Sequence, residues 1–271
     1  MGQMISGQTA LSAEHQPKTR STERPDWYTV VGPKHAHPLL LVHGIEYSRN
    51  IWTPQLHGLA DELRVIAPDL PGHGSLSHLE FSFESAKERL LDVIDTECGG
   101  VACVLGISLG GYVAMEIADE HPEKLPGMIL SGCCSRPNGA ITYPHRAYAR
   151  IIRSVNHRCL NWIHSRVMRA VLPPMYSRPI LDGGIHKTTV VHAVKEMMGR
   201  EVGTCLPEYE KPVLFLNGKW DFLFRRHEQE FVSSCKNAEL CIVPGAGHPT
   251  NLQNPNAYND AVRNFVRTLD W

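Results

Sequence analysis

Seven short apolar runs, separated by stretches with helical periodicity, constrain this chain more than any other feature. They are Trp27–Val31, Leu39–Val42, Val65–Ala67, Val101–Leu105, Gly127–Ser131, Val213–Asn217 and Leu240–Val243. Helical patterns lie between them at Ile51–Leu63, Phe83–Thr96, Leu109–Asp119 and Arg226–Cys235, and another follows the last run at Asn256–Leu269. Strands that are apolar throughout are buried on both faces, and the alternating helices supply the cover. The pattern predicts an α/β fold with a mostly parallel central sheet flanked by helices. Ligands bind such sheets beyond the carboxyl ends of the strands, so the loops after Val42, Leu105, Asn217 and Val243 are where chemistry is expected.

The alternation stops between Ser135 and Gly203. Helix-like segments follow one another there, broken at Pro144, Pro173-Pro174 and Gly183-Gly184, which predicts a helical cap inserted over the sheet's edge. The expected organisation is a flexible polar arm over 1–25, a core of 26–134 and 206–271, and a cap of 135–205.

Composition narrows the function classes. With 27 basic and 28 acidic side chains the net charge is -1, so no global field favours nucleic acid or an anionic membrane. No apolar run of about 18 residues and no signal-peptide pattern occurs, which predicts a soluble, cytoplasmic protein without stable membrane insertion. The eight cysteines are scattered, several inside apolar runs, as expected of reduced thiols. Cys133-Cys134 has no second ligand cluster near it, so no metal site is expected. Nothing matches a dinucleotide fingerprint, and no cofactor is predicted.

The strand-like run Val101–Leu105 feeds directly into Gly106-Ile107-Ser108-Leu109-Gly110, and a helical pattern follows. A G-x-S-x-G arises by chance in roughly one chain in ten of this length, so the context carries the inference. Between strand and helix, two glycines permit a sharp turn that exposes the serine hydroxyl, the geometry of a nucleophile elbow. A serine nucleophile needs a base, an acid that orients the base, and donors for the oxyanion. His248, in Gly245-Ala246-Gly247-His248-Pro249, follows the last strand; Asp221, in Asn217-Gly218-Lys219-Trp220-Asp221, follows the one before. Gly44-Ile45, after the Leu39–Val42 strand, offers one backbone N–H, and Leu109 beside the serine offers another.

His43-Gly44, Asp69-Leu70-Pro71-Gly72-His73-Gly74, the serine motif, Gly218-x-x-Asp221 and Gly247-His248 together resemble the α/β-hydrolase superfamily, in its serine-nucleophile group with a helical cap. The resemblance spans about residues 27 to 271. It implies Ser108 as nucleophile, His248 as base and then acid, Asp221 as orienting acid, and the Ile45 and Leu109 amides as oxyanion donors. The strand ending Ser131-Gly132-Cys133-Cys134 carries no carboxylate, so Asp221 has no rival there. A serine at position 108 excludes the relatives that open epoxides or displace halide with an aspartate.

Three further features stand out. Asp69 and His73 are expected to hold a backbone turn. Glu46, beside the proposed oxyanion turn, would oppose a developing negative charge and is expected to point to solvent or pair with a base. From Arg136 to Leu181 there are eight arginines and no acid, a basic face with Ile151, Ile152, Val155, Leu160, Ile163, Val167 and Val171 turned to the core. Arg146, Arg150 and Arg153 are the candidates to line a substrate entrance and attract an anion.

The preferred function is hydrolysis of a small-molecule carboxylic ester or thioester through an acyl-enzyme. The same residues on this fold serve lactone or carbon–carbon bond hydrolysis, acyl transfer, or a triad-retaining ligand receptor with slow turnover, and a peroxidase-like or wholly non-catalytic scaffold is the remaining alternative. The motifs leave these alternatives, the acyl-chain length and the oligomeric state open.

Overall fold

A computed structural model describes residues 26–139 and 142–271; the arm expected over 1–25 lies outside the described residues. Among the described residues seven strands form one sheet in the order β1-β3-β2-β4-β5-β6-β7. They are β1 (Tyr28–Val31), β2 (Pro38–Val42), β3 (Arg64–Pro68), β4 (Cys103–Ile107), β5 (Met128–Ser131), β6 (Val213–Gly218) and β7 (Ala238–Val243). Only β1 runs antiparallel, paired with β3; every other pairing is parallel.

The reason the strands are apolar throughout is visible in β2. Leu40 and Val42 enter a core packed by α2 (Phe83–Glu97) and α3 (Leu109–Glu120). Leu39 and Leu41 enter the opposite core, packed by Trp52 and by α10 (Pro255–Val266). Burying each such leucine contributes roughly 2 kcal/mol. Local chemistry sets the helix ends: Ser82 and Ser85 form a reciprocal capping box at α2, and Asn254 caps α10 ahead of Pro255. The helix expected over Ile51–Leu63 is shorter, α1 (Thr53–Gly58) after a 3₁₀ turn at Arg49–Trp52, because the chain leaves helical form after Gly58.

Between β5 and β6 the described residues form four helices, α4 (Thr142–Ser154), α5 (His157–Val171), α6 (Pro174–Gly183) and α7 (Lys187–Met197). Their packing differs from the expected apolar face. Ile152 is buried in a small cluster with Ile185 and Val190, against which Tyr148 and Leu160 pack. Ile151, Ile163 and Val167 instead stand exposed, at 59%, 46% and 47%. The cause is that α4 packs on α7 rather than flat on the sheet, while Met168 is the residue by which α5 enters the core. The side chain of Val171 lies outside the described ones. After β6 come α8 (Glu228–Ser234) and, beyond β7, α9 (Thr250–Gln253).

Candidate active site

Ser108 stands between β4 and α3 with φ 55°, the only non-glycine residue with positive φ among the described residues. Such a conformation costs of order 1–3 kcal/mol and persists where its surroundings enforce it. Here they do. A Cβ on Gly106 would lie 2.3 Å from the Gly110 carbonyl oxygen, and one on Gly110 would lie 2.2 Å from that of Val42. The Ser108 N–H donates to Ser131 O at 2.8 Å, locking the turn to β5.

Asp221 and His248 meet across the loops after β6 and β7, His248 Nδ1 lying 2.8 Å from Asp221 Oδ2. Asp221 is 4% exposed, so its carboxylate is committed to that contact. Backbone bonds hold the two loops in register: Lys219 N–H donates to Val243 O and Trp220 N–H to Ala246 O. Behind them, Asn217 accepts from Gly132 N–H at 2.8 Å and donates to the buried Glu228, which Arg225 engages with two nitrogens. His248 also lines the cavity that contains Ser108.

A cavity of about 350 Å³ unites the expected residues: Ser108, His248, Ile45 and Leu109 all line it. Asp221 stands behind His248. Leu109 is the first residue of α3, so its N–H is a first-turn donor with no acceptor within the helix. The Ile45 peptide is aimed by His43, whose Nδ1 lies 2.8 Å from Gly44 O while its Nε2 accepts from Leu70 N–H. Pinning that carbonyl turns the trans Ile45 N–H the other way. Burial lowers the pKa of His43 to about 4, keeping the ring in the neutral form those bonds require. His73, lowered to about 3 by burial, stands between the carbonyls of Pro71 and Ile45, each 2.9 Å away. Asp69 accepts from the N–H groups of Arg49 and Ser75 and pairs with the Arg49 guanidinium. Both residues thus serve the backbone turn.

The rest of the cavity was not legible in the motifs. Phe224 stacks on His248, and His145 meets Phe224 edge-on. From α4 and α7, Pro144, Tyr148, Val194 and Met197 close the opposite wall, making the lining largely apolar. Glu46 is part-exposed and lines this cavity, and it accepts a hydrogen bond from Tyr148 OH rather than pairing with a base. Burial and that carboxylate push the Tyr148 phenol up, so it stays a donor. Arg146, Arg150 and Arg153 do not line the cavity; they line a second groove between α4 and α7. The buried Cys134 thiol is pushed up to about 12 and Cys133 well above the usual range, so neither supplies a thiolate. Among the described residues no cluster of three or more His, Cys, Asp or Glu could hold a metal ion.

Comparison with known proteins fits this arrangement. The chain belongs to the Alpha/beta hydrolase family, matched over residues 39–261. One relative of this hydrolase is a pimeloyl-acyl-carrier-protein methyl ester esterase of Neisseria meningitidis serogroup C, 24% identical over 86% of this chain and 95% of its own length. An esterase from Thermogutta terrifontis superposes with a TM-score of 0.71 at 25% identity, over 89% of this chain and 92% of that one. A hydrolase from Pseudomonas aeruginosa shares the fold with a TM-score of 0.74 at 21% identity, over 88% and 93%. The family and its esterase-named members support ester cleavage by this enzyme. No helix among the described residues is long and apolar enough to cross a membrane.

Proposed function

We propose that this chain is a serine hydrolase of carboxylic esters or thioesters that works through an acyl-enzyme. Ser108 Oγ attacks the substrate carbonyl while His248 Nε2 takes its proton, and Asp221 holds the imidazole in the tautomer this requires. The carbonyl oxygen becomes an oxyanion that accepts from the Ile45 and Leu109 amides; losing one such donor typically costs about 3–4 kcal/mol of transition-state stabilisation. His248 then protonates the departing alcohol or thiol. Water, deprotonated by the same histidine, attacks the acyl-enzyme, and collapse of the second tetrahedral intermediate releases the acid and restores Ser108. Helices α4–α7 act as the cap that keeps the acyl chain dry, and the substrate is a small molecule with an apolar portion.

The observation that carries this reading is the joint placement of a strained Ser108 and of His248, backed by Asp221, at one apolar cavity. Ser108 Oγ makes no hydrogen bond to His248 among the described residues; such contacts tighten when substrate binds. The free state of all eight cysteines supports a cytoplasmic location. Intact mass after fluorophosphonate treatment tests the chemistry: one adduct is expected, lost in Ser108→Ala. A folded protein that takes no adduct removes the serine mechanism and favours a ligand receptor. An ester, thioester and lactone panel then separates the hydrolytic reactions.

A further inference from the structure

Three arginines of α4 differ from most others in the molecule, including Arg136 and Arg200 of the same cap segment, which pair with Glu230 and Glu116. Arg49, Arg64, Arg200, Arg225, Arg263 and Arg267 each pair with a carboxylate. Arg146, Arg150 and Arg153 pair with none among the described residues, and neither does Lys195. These four cations line one groove of about 520 Å³ between α4 and α7, and no acid lines it.

The helix register explains the arrangement. Positions 146, 150 and 153 recur at i, i+4 and i+7, so they share one face of α4 and span about 10 Å at 1.5 Å per residue. Pro144, His145 and Tyr148 of the same helix line the Ser108 cavity, and Val194 of α7 lines both spaces. Like charges at these spacings destabilise a helix, and no described carboxylate relieves them. A planar guanidinium suits oxyanions because two of its N–H groups donate in parallel. Four cations spread over such a length suit a ligand with several separated negative charges better than a single carboxylate.

We propose that the α4/α7 groove is a subsite for a phosphate-bearing arm of the substrate, holding an ester or thioester whose acyl end reaches Ser108 past Val194. This rests on the hydrolase reading for the word substrate, while the phosphate site itself does not depend on it. Phosphate oxygens would accept from Arg146, Arg150, Arg153 and Lys195, and Val191 and Met198 would lie under the arm's apolar part.

Free coenzyme A, which carries a diphosphate and a 3′-phosphate but no scissile acyl bond, measures the groove alone. Calorimetric titration into the full chain at low salt is expected to give at least 10-fold tighter binding for coenzyme A than for pantetheine, which lacks the phosphates. Arg146→Gln/Arg150→Gln/Arg153→Gln should remove that difference, and so should 0.5 M salt on the unaltered chain. Arg150→Gln alone, chosen in case the triple variant misfolds, should weaken coenzyme A several-fold and leave pantetheine unchanged. Inorganic pyrophosphate should compete, marking the phosphates as the recognised part. Equal affinities for coenzyme A and pantetheine, or a preference that survives the triple variant in folded protein, overturns the proposal. Coenzyme A binding that persists in a chain taking no fluorophosphonate adduct keeps the phosphate site and removes only the hydrolase reading. Acyl-coenzyme A turned over no better than the matching acyl-pantetheine overturns the link between groove and catalysis.

Discussion

Phe224 lies flat on His248, with ring centroids 3.9 Å apart and planes inclined by 20°. The stack leaves the imidazole rotation about its own plane but resists tilting, so it holds the proposed base at one height in the cavity. Aromatic pairs of this kind contribute about 0.5–1.5 kcal/mol beyond burial, equivalent to roughly 2- to 10-fold in rate. Phe224→Ala is expected to lower kcat by that factor on a short neutral ester, with Phe224→Tyr close to the unaltered enzyme. An unchanged kcat in Phe224→Ala would mean that Asp221 alone positions the base.

Asp221 is tested by its isostere. Asp221→Asn keeps the size of the side chain but offers an amide to His248 Nδ1, favouring the tautomer whose Nε2 already carries a proton. Steady-state rates on a neutral ester should fall by about 10³- to 10⁴-fold while the circular dichroism spectrum is retained. A loss under 10-fold would point to another acid, and the described residues near His248 contain none with a comparable contact.

Glu46 presents a sharper question because it lines the same cavity as the proposed oxyanion donors. Tyr148 OH donates to it, which delocalises part of the charge and ties α4 to the loop after β2. Tyr148→Phe should therefore lower kcat by about 10- to 100-fold, the effect of losing a hydrogen bond to a charged group. Glu46→Gln removes the charge, and adding it to Tyr148→Phe should restore most of the loss. Additive losses in that double-mutant cycle would show that the two residues act separately.

The legible part of this molecule was whatever repeats along the chain. Leu39 to Val42 read as a doubly buried strand because all four residues are apolar, and Ser108 read as a turn because Gly106 and Gly110 flank it. Boundaries slipped where a local device intervened, as at Gly58, which ends α1 early. What stayed hidden depends on which helix faces which neighbour. Ile163 and Val167 have the spacing of a buried stripe, yet they are exposed because Met168 is the α5 residue that enters the core. Phe224, Tyr148 and the Asn217–Glu228–Arg225 group likewise join residues from separate loops and helices, and no periodicity in one segment announces such a meeting.

His43 and His73 link acid sensitivity to the proposed oxyanion turn. Both are buried, and burial lowers their folded pKa values to about 4 and about 3 from the ordinary 6.5. As pH falls below 6.5 the unfolded chain takes up protons on these rings while the folded chain does not. Acidification therefore favours the unfolded state, by roughly 1 kcal/mol per pH unit for each ring, until pH reaches the folded values. The melting temperature should fall steadily from pH 6.5 to about pH 4. His43→Gln removes one titrating ring, so its melting temperature should start lower at pH 7 but decline less steeply. The same variant loses the pairing of Nδ1 with Gly44 O and Nε2 with Leu70 N–H that aims the Ile45 amide. Its kcat on a neutral ester should drop about 10- to 100-fold with KM changed far less, the signature of a donor misplaced in the transition state. Melting curves that decline in parallel for the two proteins would mean that His43 is protonated in the folded chain well above pH 4.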